Sequence, residues 1–467
     1  MAALGKRLAK LEAQVSQLLA MVTERDAEIV RLKARVAELE SQLGQNSTNS
    51  GKPPSSDPPG TRPSKPATGR KPGGQPGHEG HKRCLLPPEM VTARTVLRAK
   101  ACACCGSRRL EPGEGVRAHQ VVDVPVIRPD VHQYDMHEAT CLDCGKSTWA
   151  KLPSGVSTSM FGPRLLGVVG YFLAARVSRR QLQEILRELF GIPVSLGALS
   201  QAEERISEAI AGPTDAAAAY VRGQPVKHVD GSTWRLAGSY AALWTIATKF
   251  VVTFFVLANA KTDTIAALLG TLKGIMVTDR GSQFGFWAMK RRQICWAHLI
   301  RKFVAFSERK DEGAELGGPL LLLAQTMLRA WHEVRDGTRT RKRYQTMARN
   351  AQVAFEALLE RGVSLRLRGV SGSCQDMLDH KQALFTFAFQ AGVDPTNNHA
   401  ERMLRPFVMW RKTSYGSQSD RGCLFAQRIM TVSQSLRLQG RSVFEFLMTA
   451  CQAAHTGASA PTLLPTP

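Results

Sequence analysis

The first forty residues carry an apolar stripe that repeats every seven positions, and few patterns restrict a chain so tightly. From Leu4 to Leu43 the a sites are Leu8, Val15, Val22, Ile29, Val36 and Leu43. The d sites are Leu4, Leu11, Leu18, Arg25, Leu32 and Leu39. β-Branched residues at most a sites, with Leu at d, favour a parallel two-stranded coiled coil. Arg25 is the one polar d residue, a device that sets register or partner at some cost in stability. A narrow stripe flanked by charge predicts self-association to a homodimer or higher oligomer; the plainer alternative is one amphipathic helix lying on its own domain.

Gly44 ends this helix, and the composition then changes. Asn46–Gly80 is rich in Ser, Pro, Gly and Lys and cannot bury a core. Residues 51–109 hold twelve Lys or Arg against three acidic residues, which suits a flexible arm tracking phosphates or a solvated linker. The whole chain sets 62 Lys and Arg against 39 acidic residues, a formal charge of +23. A balance this basic points to a polyanionic partner, most simply nucleic acid. No apolar run reaches the ~20 residues needed to span a bilayer, and no basic amphipathic helix or lipidation signal is present, so no membrane partner is expected. The charged start is no secretory signal, and ten cysteines without an export signal suggest thiols in a reducing cytoplasm.

Two knuckles follow, Cys102-x-x-Cys105-Gly106 and Cys141-x-x-Cys144-Gly145, separated by 35 residues. Each converges two thiolates on one tetrahedral ion, so Cys102, Cys105, Cys141 and Cys144 are expected to hold a structural Zn²⁺. A redox pair or unligated thiols are the alternatives. Cys104 is left over, and the Val-rich Gln120–Ile127 between the knuckles fits a strand.

Gly162–Ile210 reads as helices. The apolar spacing of Arg179–Phe190 ends at Gly191, and Ser195 is positioned to cap a second helix. Two helices around a Gly turn permit a helix-turn-helix, or a hairpin that only packs.

From Lys227 the pattern changes to strands, with one around Val229-Asp230, two more over Tyr240–Ala247 and Phe250–Leu257, and then a helix. The short strand Ile275–Thr278 then delivers Asp279. This is the element order of an RNase H-like fold, in which the first and fourth strands are neighbours and Asp230 and Asp279 lie side by side. Adjacent carboxylates repel unless divalent cations hold them, as in two-metal phosphoryl transfer. A third carboxylate is needed, and Asp376, Asp379, Asp394, Glu401 and Asp420 are all candidates. Glu401 is the choice, because Asn398 can cap a helix carrying it and Arg402 and Arg405 supply phosphate partners nearby. Its alternative is a capping-box carboxylate without catalytic duty.

The order of zipper, basic Pro/Gly segment, Cys pairs and Asp-bearing strand continues into Cys295-Trp296-Ala297-His298-Leu299-Ile300-Arg301. Asn397-Asn398-His399-Ala400-Glu401-Arg402 and Arg405-Pro406 complete it. In this the chain resembles the insertion-sequence 66 family of transposases, from the zipper to about Gly440. That resemblance implies an Asp-Asp-Glu recombinase in which Asp230, Asp279 and Glu401 bind two Mg²⁺ ions. The implied function is a DNA transposase that cuts transposon ends and joins their 3′-hydroxyls to target DNA. Arg402, Arg405, Arg411 and Lys412 would contact the DNA backbone, and element-encoded helper proteins are possible partners. A non-catalytic DNA-binding regulator and a nuclease without strand transfer are the rival readings. Many family members follow the first Asp with Glu-Thr, whereas this chain has Asp230-Gly231-Ser232-Thr233.

The expected fold class is therefore multidomain α+β. Its parts are a coiled coil (1–45), basic linker (46–83), zinc ribbon (84–150), helical region (155–222) and catalytic core (223–305). A helical insertion (306–390), the remainder of the core (391–440) and a tail (441–467) complete it. The insertion absorbs the 122-residue interval from Asp279 to Glu401 and carries the basic cluster Arg339, Arg341, Lys342 and Arg343. The expected location is the bacterial cytoplasm, at the nucleoid.

Overall fold

The computed structural model describes residues 2–50, 52, 57, 84–154, 156–270 and 273–465, so most of the basic linker lies outside the described residues. The chain is mixed α+β.

Helix α1 (Ala2–Leu43) runs unbroken for 42 residues, about 63 Å at 1.5 Å per residue. Its heptad stripe faces solvent in the single chain, with Leu11 51% and Leu18 60% exposed. The segment after it turns back on the body, where Asn49 Nδ2 donates to Glu308 Oε2 at 2.7 Å.

Between residues 84 and 154 regular structure is sparse. Strands β1 (Glu138–Thr140) and β2 (Ser147–Trp149) form a short antiparallel hairpin around the second knuckle. The strand expected over Gln120–Ile127 does not form. Val121, Val124 and Val126 are exposed, Pro125 has no N–H to give a ladder, and no described strand pairs with the segment.

Four helices lead into the sheet: α2 (Pro163–Ala174), α3 (Arg179–Phe190), α4 (Leu196–Ala209) and α5 (Ala211–Gly223). Ser178 and Gln181 form a capping box at the start of α3, Gly191 ends it in the left-handed conformation, and Ser195 caps α4. The boundaries are those the sequence suggests, but the arrangement does not suit a recognition helix. Leu199, Ala202, Glu203, Ile206 and Ser207 of α4 are buried, and Arg421 and Arg428 from a later helix bond to Ser200, Glu204 and Ser207. What α4 leaves exposed includes Gln201 and Glu208, with the half-buried Arg205 as its one cation.

The central sheet has five strands: β3 (Val226–Leu236), β4 (Ser239–Ala247), β5 (Val252–Leu257), β6 (Ile275–Thr278) and β7 (Arg292–Ile294), in the order β5-β4-β3-β6-β7. The first three form an antiparallel meander, and β6 and β7 are parallel to β3. The β3–β4 turn has positive φ at both Ala237 (48°) and Gly238 (81°), the twist a two-residue hairpin requires. Helix α6 (Thr262–Leu269) crosses from β5 to β6 and ends at Gly270.

Successive residues of β6 face opposite sides and divide the molecule into two cores. Met276 joins the core built from α2–α6, the meander and the C-terminal helices, whereas Val277 joins that of the insertion. Helix α7 (Trp296–Ser307) leads from the core into the insertion, which comprises α8 (Gly313–Arg335), α9 (Arg341–Ser364), α10 (Ser371–Asp379) and α11 (Thr386–Phe389). Helices α12 (Asn398–Ser414) and α13 (Asp420–Leu438) return to the sheet, and Ser435 and Thr431 of α13 satisfy the β5 edge at Val252 and Phe254.

Residues 441–467, expected to be a tail, instead carry α14 (Val443–Thr456). Its Val443, Phe446, Leu447 and Ala450 are buried in the first core, and Met448 packs against Gly167 of α2. The 3.6-residue spacing of those apolar positions is the signal that assigns the helix.

Candidate active site

Asp230 lies within β3 and Asp279 follows the C-terminal end of β6. The parallel register pairs His228 with Val277; continued by two residues, it sets Asp230 opposite Asp279. Carboxyl ends of parallel strands are where open α/β sheets place their ligands.

Glu401 comes within electrostatic reach of Asp230 from the first turn of α12, although it follows Asp279 by 122 positions in sequence. Three ties along α12 hold it there. At its start, Asn397 donates Nδ2 to the carbonyl of Val229 at 2.8 Å and its backbone N–H to Cys295 Sγ at 3.1 Å. Further on, Arg411 bonds to Ser232 and Thr233 of β3. Beyond the helix, Ser417 exchanges backbone bonds with Arg235 and Ala237. Asn397, not Asn398, occupies the cap position, and its side chain is spent on the strand rather than on the helix end.

The three carboxylates feel one another electrostatically, although their oxygens are not gathered into one group within 4.8 Å. Burial, then Glu401, then Asp279 push the Asp230 carboxyl up to about 7, against the smaller opposing pull of the Gly231 N–H and Arg301. Asp279 Oδ1 accepts from the Gly281 N–H at 2.9 Å, and its carbonyl accepts from the buried Arg292 at 3.2 Å. Both bonds fix the turn that presents the carboxylate. The next residue, Arg280, pairs with Asp376 of α10 at 2.6 Å.

Helix α7 contributes two more groups, three residues apart and so on one face. His298 Nδ1 stands 4.0 Å from Glu401 Oε1, and Arg301 stands 4.0 Å from Glu401 Oε2. Burial and Arg301 hold the His298 imidazole below its ordinary pKa despite Glu401 and Asp279. Cys295 is fully buried and its thiol is pushed up to about 11, so it serves as a neutral acceptor for Asn397. Among the described residues, Cys295, His298 and Glu401 are the one group of three or more ligand-type side chains gathered within 4.8 Å.

Of the other carboxylates considered for the third position, Asp376 is committed to Arg280, and Asp394 lies 3.7 Å from His228. Of the four cations proposed for DNA, Arg402, Arg405 and Lys412 are exposed. Arg405 and Lys412 follow Glu401 by four and eleven residues and share its stripe on α12. Arg411 differs, because its guanidinium is turned onto β3. In the basic cluster of the insertion, Arg339 pairs with Glu333 and Arg341 bonds to the carbonyls of Phe387 and Ala388, which leaves Lys342 and Arg343 exposed.

Each cysteine knuckle is folded. The Gly106 and Gly145 amides close turns onto Cys102 and Cys141, and both glycines have φ near +70°. Amide and thiol donors lower the Cys102 and Cys141 pKa values. The two knuckles, with Cys105 and Cys144, are not drawn together into one group of ligands.

Gly231 explains the departure from Glu-Thr after the first Asp. It pairs with Trp244 across the β3–β4 ladder, and a Cβ there would lie 2.8 Å from the Trp244 ring. An acidic side chain at this position has no room beside that indole.

His298, Arg301 and Asn397 stand at the candidate site, and residue-by-residue reasoning did not assign them. The spacing Cys295-x-x-His298-x-x-Arg301 on a helix was the available signal, since it aims a thiol, an imidazole and a guanidinium at one line of approach.

Comparison with known families matches residues 158–424 to a model described as Transposase IS66 family. Residues 3–84 match one described as a family of unknown function, DUF6444. Comparison with curated proteins gives no match. No described helix is long and apolar enough to cross a membrane.

Proposed function

The chain belongs to the IS66 family of transposases, and from that premise we propose that Asp230, Asp279 and Glu401 form the centre that cuts transposon ends and joins them to target DNA. The observation that carries this reading is the register that sets Asp230 opposite Asp279 on adjacent strands, with Glu401 close enough to add to the burial that raises the Asp230 pKa. The sheet order β5-β4-β3-β6-β7, with acids on adjacent strands, supports an RNase H-like core.

The site fits divalent cations. Glu401 Oε1 is buried without a hydrogen-bond partner, and the Asp230 carboxyl is raised by burial and by the two other acids despite Arg301 nearby. Asp230, Asp279 and Glu401 would hold two Mg²⁺ ions, which supply Lewis-acid activation of the attacking oxygen and charge neutralisation at the leaving one. The chain does the rest. Asn397 and Arg411 keep Glu401 in line with β3, and the Asp279 turn fixes the second acid. Arg402, Arg405 and Lys412 bind the DNA backbone beside the cut, an interaction that positions without reading sequence. The chemistry is two in-line phosphoryl transfers, hydrolysis at the element end and attack of the freed 3′-hydroxyl on a target phosphodiester. Neither requires a covalent enzyme intermediate.

In the same reading, α1 pairs two chains and so brings two element ends together, and Cys102, Cys105, Cys141 and Cys144 close on a structural Zn²⁺. The protein works at DNA in the bacterial cytoplasm, with element-encoded helpers as further partners.

The test is incubation of the full chain with labelled element ends and Mg²⁺ or Mn²⁺, scoring nicking and joining separately. Asp230→Ala is expected to abolish strand cleavage and to keep end binding. Cleavage unchanged in that variant overturns the assignment, and nicking without joined products reassigns the protein as a nuclease.

A further inference from the structure

His298 Nδ1 and Glu401 Oε1 are both buried, both lack a hydrogen-bond partner, and face each other at 4.0 Å. That distance is too long for a hydrogen bond. Two bonds of about 2.0–2.2 Å, the lengths at which imidazole nitrogen and carboxylate oxygen meet a divalent transition ion, span 4.0 Å when the angle between them is wide, about 130–180°. The other Glu401 oxygen is turned to Arg301, so the two oxygens have separate duties. Cys295 Sγ is near enough to join but already accepts the Asn397 N–H, which assigns it to positioning.

We infer that His298 is a nitrogen ligand to the cation held by Glu401, so that this position prefers Mn²⁺ and later divalent ions over Mg²⁺. Carboxylate and water oxygens suit Mg²⁺, whereas an imidazole in the ligand set moves preference along the first transition row. His298 begins the first turns of α7, which the buried Trp296 anchors in the insertion core, so the ligand is delivered by a rigid element. The inference shares Glu401 with the proposed transposase centre and rests on that reading only there.

The test is pulsed electron paramagnetic resonance of Mn²⁺ bound to the full-length protein carrying no more Zn²⁺ than the one equivalent its four knuckle cysteines take, since excess zinc would compete for the site. Modulation from a directly bound ¹⁴N is expected in the wild-type chain and in Asp279→Asn. It should vanish in His298→Gln while Mn²⁺ remains bound, and His298→Ala should weaken Mn²⁺ roughly tenfold with little change for Mg²⁺. Labelling the histidines of the wild-type chain with ¹⁵N tests the same bond without a substitution and should replace the ¹⁴N signal. Bound Mn²⁺ without nitrogen modulation, or modulation that survives His298→Gln, overturns the inference. Cleavage that depends on the three acids with no nitrogen coupling sinks this inference alone. Nitrogen coupling in a protein whose cleavage is indifferent to Asp230→Ala sinks the catalytic reading alone.

Discussion

Asn397 donates its side-chain amide to the carbonyl of Val229, the residue before Asp230, and thereby ties the helix of one acid to the strand of another. Both residues are buried, so the bond is shielded from water. Asn397→Ala is expected to leave the Val229 carbonyl unsatisfied and to cost about 1–3 kcal/mol of stability. A shift of Glu401 by about 1 Å would also lower strand cleavage on the order of a hundredfold. Urea melts and cleavage rates on labelled ends check the two separately. Full cleavage in a variant that is only less stable would show that the tie does not set the geometry.

Gly231 is small because of Trp244. Gly231→Glu, which restores the acid found in many relatives, is expected to destabilise the fold by about 1–3 kcal/mol through overpacking. Adding Trp244→Ala should recover part of the loss caused by the clash. Two changes that simply add in a double-mutant cycle would rule the clash out.

The raised Asp230 pKa makes cation binding pH-dependent. Below about 7 the cation-free protein holds a proton there that a divalent ion must expel. Calorimetry in two buffers of different ionisation enthalpy should detect proton release near pH 6 that fades well above 7. The sign for stability is opposite to that of a salt-bridged acid. The folded-state value lies above the ordinary 3.8, so the cation-free protein loses stability as pH rises from about 4 to 7. A melting temperature that climbs because of this group would contradict the assignment.

Among the described residues, the α1 stripe is exposed to solvent. Leu11→Lys with Leu18→Lys should convert the assembly to monomers in sedimentation, because lysine at successive d sites charges the seam. DNA-independent dimers that survive both changes would mean that another surface holds the copies together.

Zinc binding should close what the knuckles begin. The full chain is expected to carry about one Zn²⁺, released by chelator or by Cys141→Ser. Metal content measured after dialysis decides it, and a zinc-free chain that resists proteolysis between residues 84 and 154 would refute a structural role.

Much of this architecture was legible because its signals are local. The heptads of α1, the caps of α3 and α4, and the strand that presents Asp279 each follow from neighbours in sequence. Asp230 and Asp279 were foreseeable as partners because element order fixes which strands adjoin. The failures have a different cause. Valines at 121–126 look like a strand, yet strand formation depends on a partner that the pattern does not supply. Arg411 reads as a DNA contact until the fold brings Ser232 and Thr233 beneath it. The pairing of His298 with Glu401 joins two helices separated by a hundred residues, and no spacing rule reaches that far.

Trp296 sits on the seam between sheet and insertion. Its indole donates to the Leu384 carbonyl at 2.6 Å and meets the rings of Phe355, Phe385 and Phe387. Beside it, the Arg292 carbonyl and the Gln293 side chain of β7 bond to Thr386 and Phe387. The long excursion between the second and third acids is thus welded to the platform it interrupts. Anyone trimming this scaffold to a compact recombinase would have to keep it, because excising residues 306–390 would unroof an aromatic nest and leave the outermost strand ragged. Drift among copies of the element should accordingly be freest on the outer faces of α8 and α9, and slowest where they meet that tryptophan.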